Sequence, residues 1–354
     1  MTRPPARPTL KDVASAANVS ISTVSYALND QSQVRLAADT RARVRRIAKD
    51  LGYTPNGIAR SLRARSSRTA GVVISKPLTN PRYAAIVQGI GTALTELGFR
   101  MSVLPDVTGE SFLADCRSGV LDGLVFVGHD DVELPSSLAA AAADGSSPLV
   151  TIDCGAPEAD ATYSSVDFAY ERGAEGMIRR LAEQGITTIL HLRPEVPSRA
   201  ERQRQAAMMR VLGEVDGITL RVISTGLRDE DLRQVERSPE AIEPYLRTKT
   251  ARLASALESV ESAPERTAVL CSWGADVEAA LSVARTRAPG VTIASLAAGV
   301  PRVELWDELV YSSLPLVDAG HRAAHLLAAV LSHDPIYEHV LLEPVLTPPA
   351  APRR

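Results

Sequence analysis

Two stretches decide the fold: residues 9–29, TLKDVASAANVSISTVSYALN, and residues 51–65, LGYTPNGIARSLRAR. Thr9 followed by Asp12 is a variant of the capping box, and it predicts that a helix begins there. A tight turn follows, and Ser20 predicts the N-cap of a second, short helix. Two short helices joined by a tight turn indicate a helix-turn-helix unit.

A third helix is predicted from about Asp39 to Leu51, and Gly52 ends it. Its apolar side chains face the other two helices, and its outer face is basic. The basic residues are Arg41, Arg43, Arg45, Arg46 and Lys49. A small three-helix bundle with a solvated basic face is the alternative interpretation of this pattern.

The second helix favours DNA binding over that alternative. Because it is short, it leaves mostly small hydroxyl side chains outside the core, together with an apolar and an aromatic one. These residues are Ile21, Ser22, Thr23, Ser25 and Tyr26. Such side chains at a helix N-terminus suit phosphate contacts and base edges in a major groove. The unit is therefore predicted to bind double-stranded DNA.

The segment after Tyr53 is short and amphipathic. Residues 57–63, GIARSLR, form at most two helical turns, which are too few for a helix that is stable alone in water. Leu62 stands among basic residues, which fits an apolar wedge in the minor groove with Arg60 and Arg63 on phosphates. An ordinary linker is the alternative, and the preceding motif favours the wedge.

Charge is distributed unevenly along the 354 residues. Residues 1–68 contain 13 Lys and Arg against 4 Asp and Glu, whereas the remainder contains 26 against 38. A basic head on an acidic body indicates a module that binds a polyanion. The three cysteines lack metal spacing and fit a reducing cytoplasm, which is the predicted location. No signal peptide or membrane segment is expected.

Residues 9–63 resemble the DNA-binding head of the LacI/GalR (lactose-repressor) family of bacterial transcription regulators. The matching motifs are T-L-K-D-V-A, V-S-I-S-T-V-S-Y-A-L-N, T-R-x-R-V and L-G-Y-T-P-N-G-I-A-R-S-L. The resemblance extends more weakly to about residue 345. It implies a homodimer that binds short palindromes, often with a central CpG step opened by the two hinge leucines.

By this resemblance, Ile21, Ser22 and Tyr26 read bases and Leu62 is the intercalating hinge residue. Many members of the family have Arg where Tyr26 stands, and Tyr does not make the bidentate contact of Arg to guanine. The complete set of predicted DNA-binding residues is Thr9, Ser20, Ile21, Ser22, Thr23, Ser25, Tyr26, Asn29, Tyr53, Asn56, Ala59, Arg60, Leu62 and Arg63.

From Ala70 onward, short apolar runs alternate with helical patterns. This alternation predicts an α/β body of two doubly wound, parallel-sheet subdomains. The predicted strands are 71–75, 101–105, 123–127, 149–153, 188–192, 219–224, 267–271, 292–296 and 309–313. The resemblance implies a two-lobed effector domain of the type I periplasmic-binding-protein kind, whose lobes exchange strands near residues 165, 295 and 320.

Ligands in such sheets bind beyond the carboxyl ends of the strands. The predicted effector-binding residues are Tyr83, Asp153, Arg204 and Trp273. By resemblance, Asp153 and Arg204 match sugar-binding positions of the family. Other hydroxyl-binding positions of the family are replaced, and the replacements are Trp273-Gly274, Leu296-Ala297-Ala298 and Leu314.

The replaced groups bear on the class of effector. A sugar hydroxyl left without a partner costs about 1–3 kcal/mol. The cleft is therefore predicted to bind a less hydroxylated, aromatic or acidic effector, or no effector. In the alternative interpretation, Trp273 fills the cleft as part of the core.

An enzyme is not expected, because the sequence contains no nucleotide-binding glycine pattern after a strand and no nucleophile elbow. His321 and His325 stand four residues apart on a predicted helix, but no third ligand is indicated. A solvated helix face is the favoured interpretation of this pair. Neither a metal nor a cofactor is predicted.

The predicted organisation has four parts: a helix-turn-helix head (1–54), a hinge helix with linker (55–68), an effector-binding and dimerisation domain (69–346) and a disordered tail (347–354). The predicted function is a sequence-specific transcription regulator, foremost a repressor that binds a palindromic operator as a homodimer. Its predicted partners are double-stranded DNA, a second copy and a small-molecule effector of unknown identity, and not a membrane. The alternative is an effectorless or architectural repressor whose body only dimerises.

Overall fold

Residue contacts divide the chain into two units, Met1–Ser67 and Arg68–Arg354. The coordinates are those of a computed structural model. The structure describes residues 8–28, 34–53, 66–105, 111–129, 134–196, 198–228, 231, 239–298, 309–332 and 334–346.

In the described part of the first unit, three helices pack together: α1 (Leu10–Ala17), α2 (Ile21–Ala27) and α3 (Ala38–Asp50). Asn18 ends α1 in the left-handed conformation, at φ 50°. The helices enclose a core of small and branched side chains, namely Val13, Ala14, Ala17, Val24, Ala27, Val44 and Ala48. The predicted helix-turn-helix fold is confirmed.

The second unit alternates strands and helices. In chain order the elements are β1 (Thr69–Ile74), α4 (Pro81–Glu96), β2 (Arg100–Leu104), α5 (Ser111–Arg117), β3 (Gly123–Val127), α6 (Ser136–Ala143), β4 (Leu149–Ile152), β5 (Ser164–Phe168), α7 (Tyr170–Glu183), β6 (Thr188–Glu195), α8 (Arg199–Leu212), β7 (Thr219–Arg228), α9 (Pro239–Glu258), β8 (Thr267–Cys271), α10 (Val277–Arg287), β9 (Thr292–Ala298), β10 (Val310–Ser313), α11 (Leu316–Val330), β11 (His339–Leu342) and β12 (Val345–Leu346).

These strands form two sheets, one for each lobe. The first has the order β11-β5-β4-β3-β1-β2, and the second has the order β12-β10-β9-β8-β6-β7. The pairings are parallel, apart from the antiparallel pair of β10 with β12. The predicted pair of doubly wound subdomains is confirmed.

Within the residues that the structure describes, the chain passes between the lobes at three places. It leaves the first lobe after β5, returns through Leu314-Pro315 before α11, and crosses again through Glu343-Pro344 between β11 and β12. The predicted crossings near residues 165 and 320 fall within a few residues of the first two. The crossing predicted near residue 295 is wrong, because Ser295 lies inside the second sheet, opposite Cys271 and Tyr311.

Helices α4 and α11 pack on the first sheet and approach each other very closely. A Cβ atom added to Gly89 would lie 2.0 Å from the carbonyl oxygen of Val317, and one added to Gly320 would lie 2.1 Å from that of Ile86. Only glycine permits this approach of the two backbones. Within the described ranges, no helix is both long and apolar enough to cross a membrane.

Candidate nucleic-acid interface and effector cleft

Helix α2 presents an exposed, uncharged surface that runs from its N-terminus to Tyr26 in its last turn. Ser20 caps the helix, and its Oγ accepts a hydrogen bond of 3.0 Å from the Thr23 N–H. Ile21 is 50% exposed and Tyr26 is 41% exposed, and Ser22 is exposed between them. An exposed isoleucine and tyrosine on a short, capped helix are consistent with the predicted contacts to base edges.

Thr9 stabilises the start of α1. Its hydroxyl donates to Asp12 Oδ2 at 2.7 Å, and its N–H donates to the same oxygen at 2.7 Å. These bonds lower the pKa of Asp12. The predicted capping box is confirmed, and a phosphate contact by Thr9 would share the hydroxyl with this cap.

The basic face of α3 is only partly available to DNA. Arg43, Arg46 and Lys49 are exposed, as predicted. Arg45 is also exposed, yet its Nε donates to the carbonyl oxygen of Ala27 at 3.2 Å and so joins α3 to the end of α2. This guanidinium therefore has a structural role.

Three of the predicted DNA contacts, Thr23, Ser25 and Tyr53, are half-buried, and Tyr53 packs against the core of the head. The remaining predicted contacts lie outside the described residues and stay predictions. They are Asn29, Asn56, Ala59, Arg60, Leu62 and Arg63.

In the second unit, Asp153 lies at the end of the β4 strand and is almost fully buried, with 1% exposure. Its carboxylate accepts hydrogen bonds from Arg82 Nη2 at 2.6 Å, Arg199 Nη2 at 2.9 Å and the Tyr170 hydroxyl at 3.0 Å. The backbone of Asp153 is left-handed, at φ 60°. The chain's own side chains thus surround this predicted effector ligand.

Asp167 extends the network. Its Oδ1 accepts from Arg199 Nη2 at 3.0 Å and from the Gly155 N–H at 3.0 Å. Its Oδ2 is buried and has no hydrogen-bond partner in the described chain. Arg199 therefore holds two buried carboxylates together.

Arg204 is the strongest candidate for direct contact with an effector. It is 3% exposed, and its guanidinium carbon lies 4.6 Å from the centroid of the Tyr170 ring. Among the described residues its nearest carboxylate is Glu201, at 3.9 Å, which is beyond hydrogen-bond distance. A buried guanidinium whose nearest carboxylate lies at this distance is incompletely paired, so acceptor atoms of a ligand would stabilise it.

A chain of buried hydrogen bonds positions Glu201. His191 Nε2 lies 2.6 Å from Ser272 Oγ, which lies 3.2 Å from Glu201 Oε1. Since a carboxylate only accepts, the hydroxyl donates to Glu201 and the imidazole N–H donates to the hydroxyl. Burial lowers the pKa of His191 to about 3, and the charges of Arg193 and Arg204 add to this. A neutral imidazole, acting through Ser272, therefore helps to position Glu201, the carboxylate nearest to Arg204.

Tyr170 connects two of the four predicted effector residues. The carboxylate of Asp153 accepts a hydrogen bond from the Tyr170 hydroxyl, and the guanidinium of Arg204 lies over the face of the Tyr170 ring. Tyr83 is buried beside His129, with 6.1 Å between ring centroids. Trp273 packs in an apolar cluster of the second lobe, which also contains Val196, Leu227 and Tyr245.

Sequence reasoning missed Arg82, Tyr170 and Arg199. Arg82 follows the N-cap Asn80 and Arg199 follows the N-cap Ser198, so both lie in the first turn of a helix that comes after a strand. That position faces the carboxyl ends of the strands, where ligand sites form. A search for basic residues in such turns would have found both.

A cavity of about 580 Å³ lies beside the network. Small-molecule sites are typically about 300–1,000 Å³. The charged and polar residues that line it are Asp167, Tyr170, Glu171, Arg172, Glu175, Arg199, Gln203, Arg210 and His339. Its lining in the described chain includes none of the four predicted effector residues, but it includes Tyr170 and Arg199, which hold Asp153.

Comparisons with known proteins agree with this architecture. Residues 9–56 match the model of the family "Bacterial regulatory proteins, lacI family". An HTH-type transcriptional regulator of Mycobacterium tuberculosis is 30% identical over 347 residues, which cover 92% of this chain and 91% of that protein. The HTH-type transcriptional regulator CelR of Thermobifida fusca is 37% identical over 193 residues, about half of each chain, at 51% and 53%.

Among solved structures, a similar fold is that of the lac repressor dimer bound to operator and the anti-inducer ONPF. It has a TM-score of 0.71 at 18% identity and covers 97% of this chain and 98% of that one. A likeness at this identity shows the fold alone. The family rests on the matched head and on the relative that is 30% identical over 92% of this chain. The chain belongs to the lacI family of bacterial regulatory proteins and is a DNA-binding transcriptional regulator.

Proposed function

We propose that this protein is a repressor that binds a palindromic operator as a homodimer in the cytoplasm, and that it has no catalytic activity. The observation that carries the proposal is the surface of the capped helix α2, with Ile21 and Ser22 exposed at its N-terminus and Tyr26 exposed in its last turn. In a two-fold dimer, two such helices would enter successive major grooves about 34 Å apart. Selection of bound sequences from random duplexes tests this, and the expected result is a palindrome.

The domain bounds derived from the sequence belong to the same proposal. The head (1–54) would read the half-site, and the hinge helix and linker (55–68) would place Leu62 in the minor groove at the centre of the palindrome. The effector-binding and dimerisation domain (69–346) would bring two heads together, and the tail (347–354) would take no part. Motion of the lobes on effector binding would then alter the pairing of the hinges.

Replacing Tyr26 with alanine is expected to weaken binding to the selected operator about tenfold or more. One lost base contact is worth about 1–3 kcal/mol of discrimination, and the loss should leave binding to random duplex unchanged because Tyr26 carries no charge. Fluorescence anisotropy with both duplexes at one salt concentration measures the two affinities. Tyr337→Ala is the matched control, because Tyr337 is equally exposed, at 41%, in the other unit. Equal losses on both duplexes would remove Tyr26 from base reading.

We further propose that the cleft binds an acidic effector through Arg204. In the described network, guanidinium groups outnumber carboxylates by four to three. The guanidinium groups are those of Arg82, Arg193, Arg199 and Arg204, and the carboxylates are those of Asp153, Asp167 and Glu201. An anionic group beside Arg204 would balance this charge and accept hydrogen bonds from its guanidinium.

Arg204→Met is expected to abolish effector binding. A panel of aliphatic and aromatic carboxylates is screened by the rise in Tm that each gives the wild type, and neutral mono- and disaccharides serve as the comparison set. Arg202→Met is the control, since Arg202 is exposed on the same helix and carries the same charge. Submillimolar binding of a neutral saccharide that releases the operator would overturn the acidic-effector proposal.

An effectorless repressor is the second candidate. This candidate is favoured by the hydrogen bonds that Asp153 accepts from Arg82, Arg199 and Tyr170. These donors of the chain take the place that the hydroxyls of an effector would have. If no compound of the panel changes either Tm or operator affinity, this candidate replaces the sensor.

A further inference from the structure

We propose that Glu96, His321 and His325 form a binding site for a divalent transition-metal ion, foremost Zn²⁺, on the first lobe. One potential ligand atom from each of the three side chains lies within 4.8 Å of the others. The sequence showed the two histidines but no third ligand. The fold brings the third one, Glu96, from the far end of α4.

The two histidines are already aligned. They stand at positions i and i+4 of α11, which places them on one face of the helix. Their ring centroids lie 4.8 Å apart. Glu96 Oε2 lies 3.7 Å from His321 Nε2. Two imidazoles and a carboxylate therefore converge on one point beside α11.

The backbones of α4 and α11, which carry the three ligands, are packed directly against each other. Gly89 and Gly320 bring α4 and α11 into direct backbone contact, and Gly89 shares a face of α4 with Glu96, two helical turns away. The side chains themselves are exposed or half-buried and can rotate. Tetrahedral Zn²⁺ with bonds of about 2.0–2.1 Å needs ligand atoms about 3.4 Å apart. Small rotations of the side chains would bring the ligand atoms, which now lie within 4.8 Å of one another, to this spacing.

The ligand set selects the class of ion. Imidazole nitrogens suit Zn²⁺, Cu²⁺, Ni²⁺ and Co²⁺, whereas Mg²⁺ and Ca²⁺ prefer sites made of oxygens alone. Three protein ligands leave a fourth position for water. The cysteines compete weakly, because burial raises the pKa of Cys116, Cys154 and Cys271 and so disfavours the thiolate that binds metal. The bound ion would join the end of α4 to α11.

The test uses the full chain without a histidine tag. Calorimetric titration with Zn²⁺ is expected to show a site of one ion per chain that His321→Ala/His325→Ala abolishes. Either single histidine variant should weaken it about tenfold or more, and Glu96→Gln should weaken it as well. Co²⁺ should give the visible absorption of a tetrahedral nitrogen and oxygen site. Arg322→Ala, an exposed change on the same helix, should leave binding intact.

Two further measurements make the result decisive. Zn²⁺ should raise the Tm of the wild type and of Arg322→Ala, but not that of His321→Ala/His325→Ala, and a chelator should reverse the rise. Far-UV circular dichroism shows that each variant is folded. Unchanged stoichiometry and affinity in the double histidine variant would overturn the proposal, and so would the absence of Zn²⁺ binding by the wild type.

Discussion

Gly320→Ala is expected to destabilise the second unit by at least about 3 kcal/mol, or to prevent it from folding. The new methyl carbon would lie 2.1 Å from the carbonyl oxygen of Ile86 and 2.7 Å from the backbone nitrogen of Ile90. Both atoms belong to the backbone of α4, so no side-chain rotation relieves the overlap. The two helices must move apart, and overpacking of a rigid core costs about 1–3 kcal/mol even where side chains adjust.

Urea unfolding followed by circular dichroism measures the loss, and Gly91→Ala is the matched control. A Cβ at Gly91 would meet only the end of the Met101 side chain, at 3.3 Å, which is flexible. In the interior of a helix, alanine is favoured over glycine by up to about 1 kcal/mol, so Gly91→Ala should be neutral or stabilising. Equal midpoints for the two variants would show that α4 and α11 tolerate separation.

Lys249→Met is expected to cost about 3–5 kcal/mol of the free energy of unfolding. Lys249 and Asp276 are both buried, and Lys249 Nζ lies 2.7 Å from Asp276 Oδ1. The ammonium also lies 4.4 Å from the centroid of the Tyr245 ring. Removal of the cation leaves a buried carboxylate with the Tyr245 hydroxyl, at 2.5 Å, as its remaining strong donor. An uncompensated buried charge causes a loss of this size.

The double variant Lys249→Met/Asp276→Asn separates the charge effect from packing. It removes both charges and leaves an amide oxygen for Tyr245, so it should recover much of the stability lost in Lys249→Met. Arg247→Met is the control on the same helix, because Arg247 and Glu243 form an exposed pair 2.6 Å apart. Exposed pairs contribute about 0–1 kcal/mol. A double variant no more stable than Lys249→Met would show that the loss comes from packing alone.

The DNA-binding head was predictable because its signals are local. Thr9, Asn18 and Ser20 each act on the backbone within four residues, and the structure shows the caps and the turn where the sequence predicted them. The spacing of Val13, Val24 and Val44 then decides which faces meet in the core. Interactions between near neighbours in the chain can be deduced from the chain itself.

The sheets of the second unit were predictable in kind and incomplete in detail. Apolar runs marked the central strands. β5 contains polar residues, SSVDF, although every residue in it is buried, and it pairs with β11 from the far end of the chain. That partner, and the return of the chain through Glu343-Pro344, depend on contacts between distant segments. The misplaced crossing near residue 295 has the same origin.

The sequence by itself determined a capped helix-turn-helix head and an alternating α/β body, because these follow from residue types and short spacings. Only the tertiary structure decided that Arg82, Arg199 and Tyr170 surround Asp153, that Trp273 packs with Val196 and Leu227, and that Glu96 joins His321 and His325. Each of these groupings joins side chains from different helices and strands. Their distances are set by how the lobes and helices pack, which no local pattern encodes.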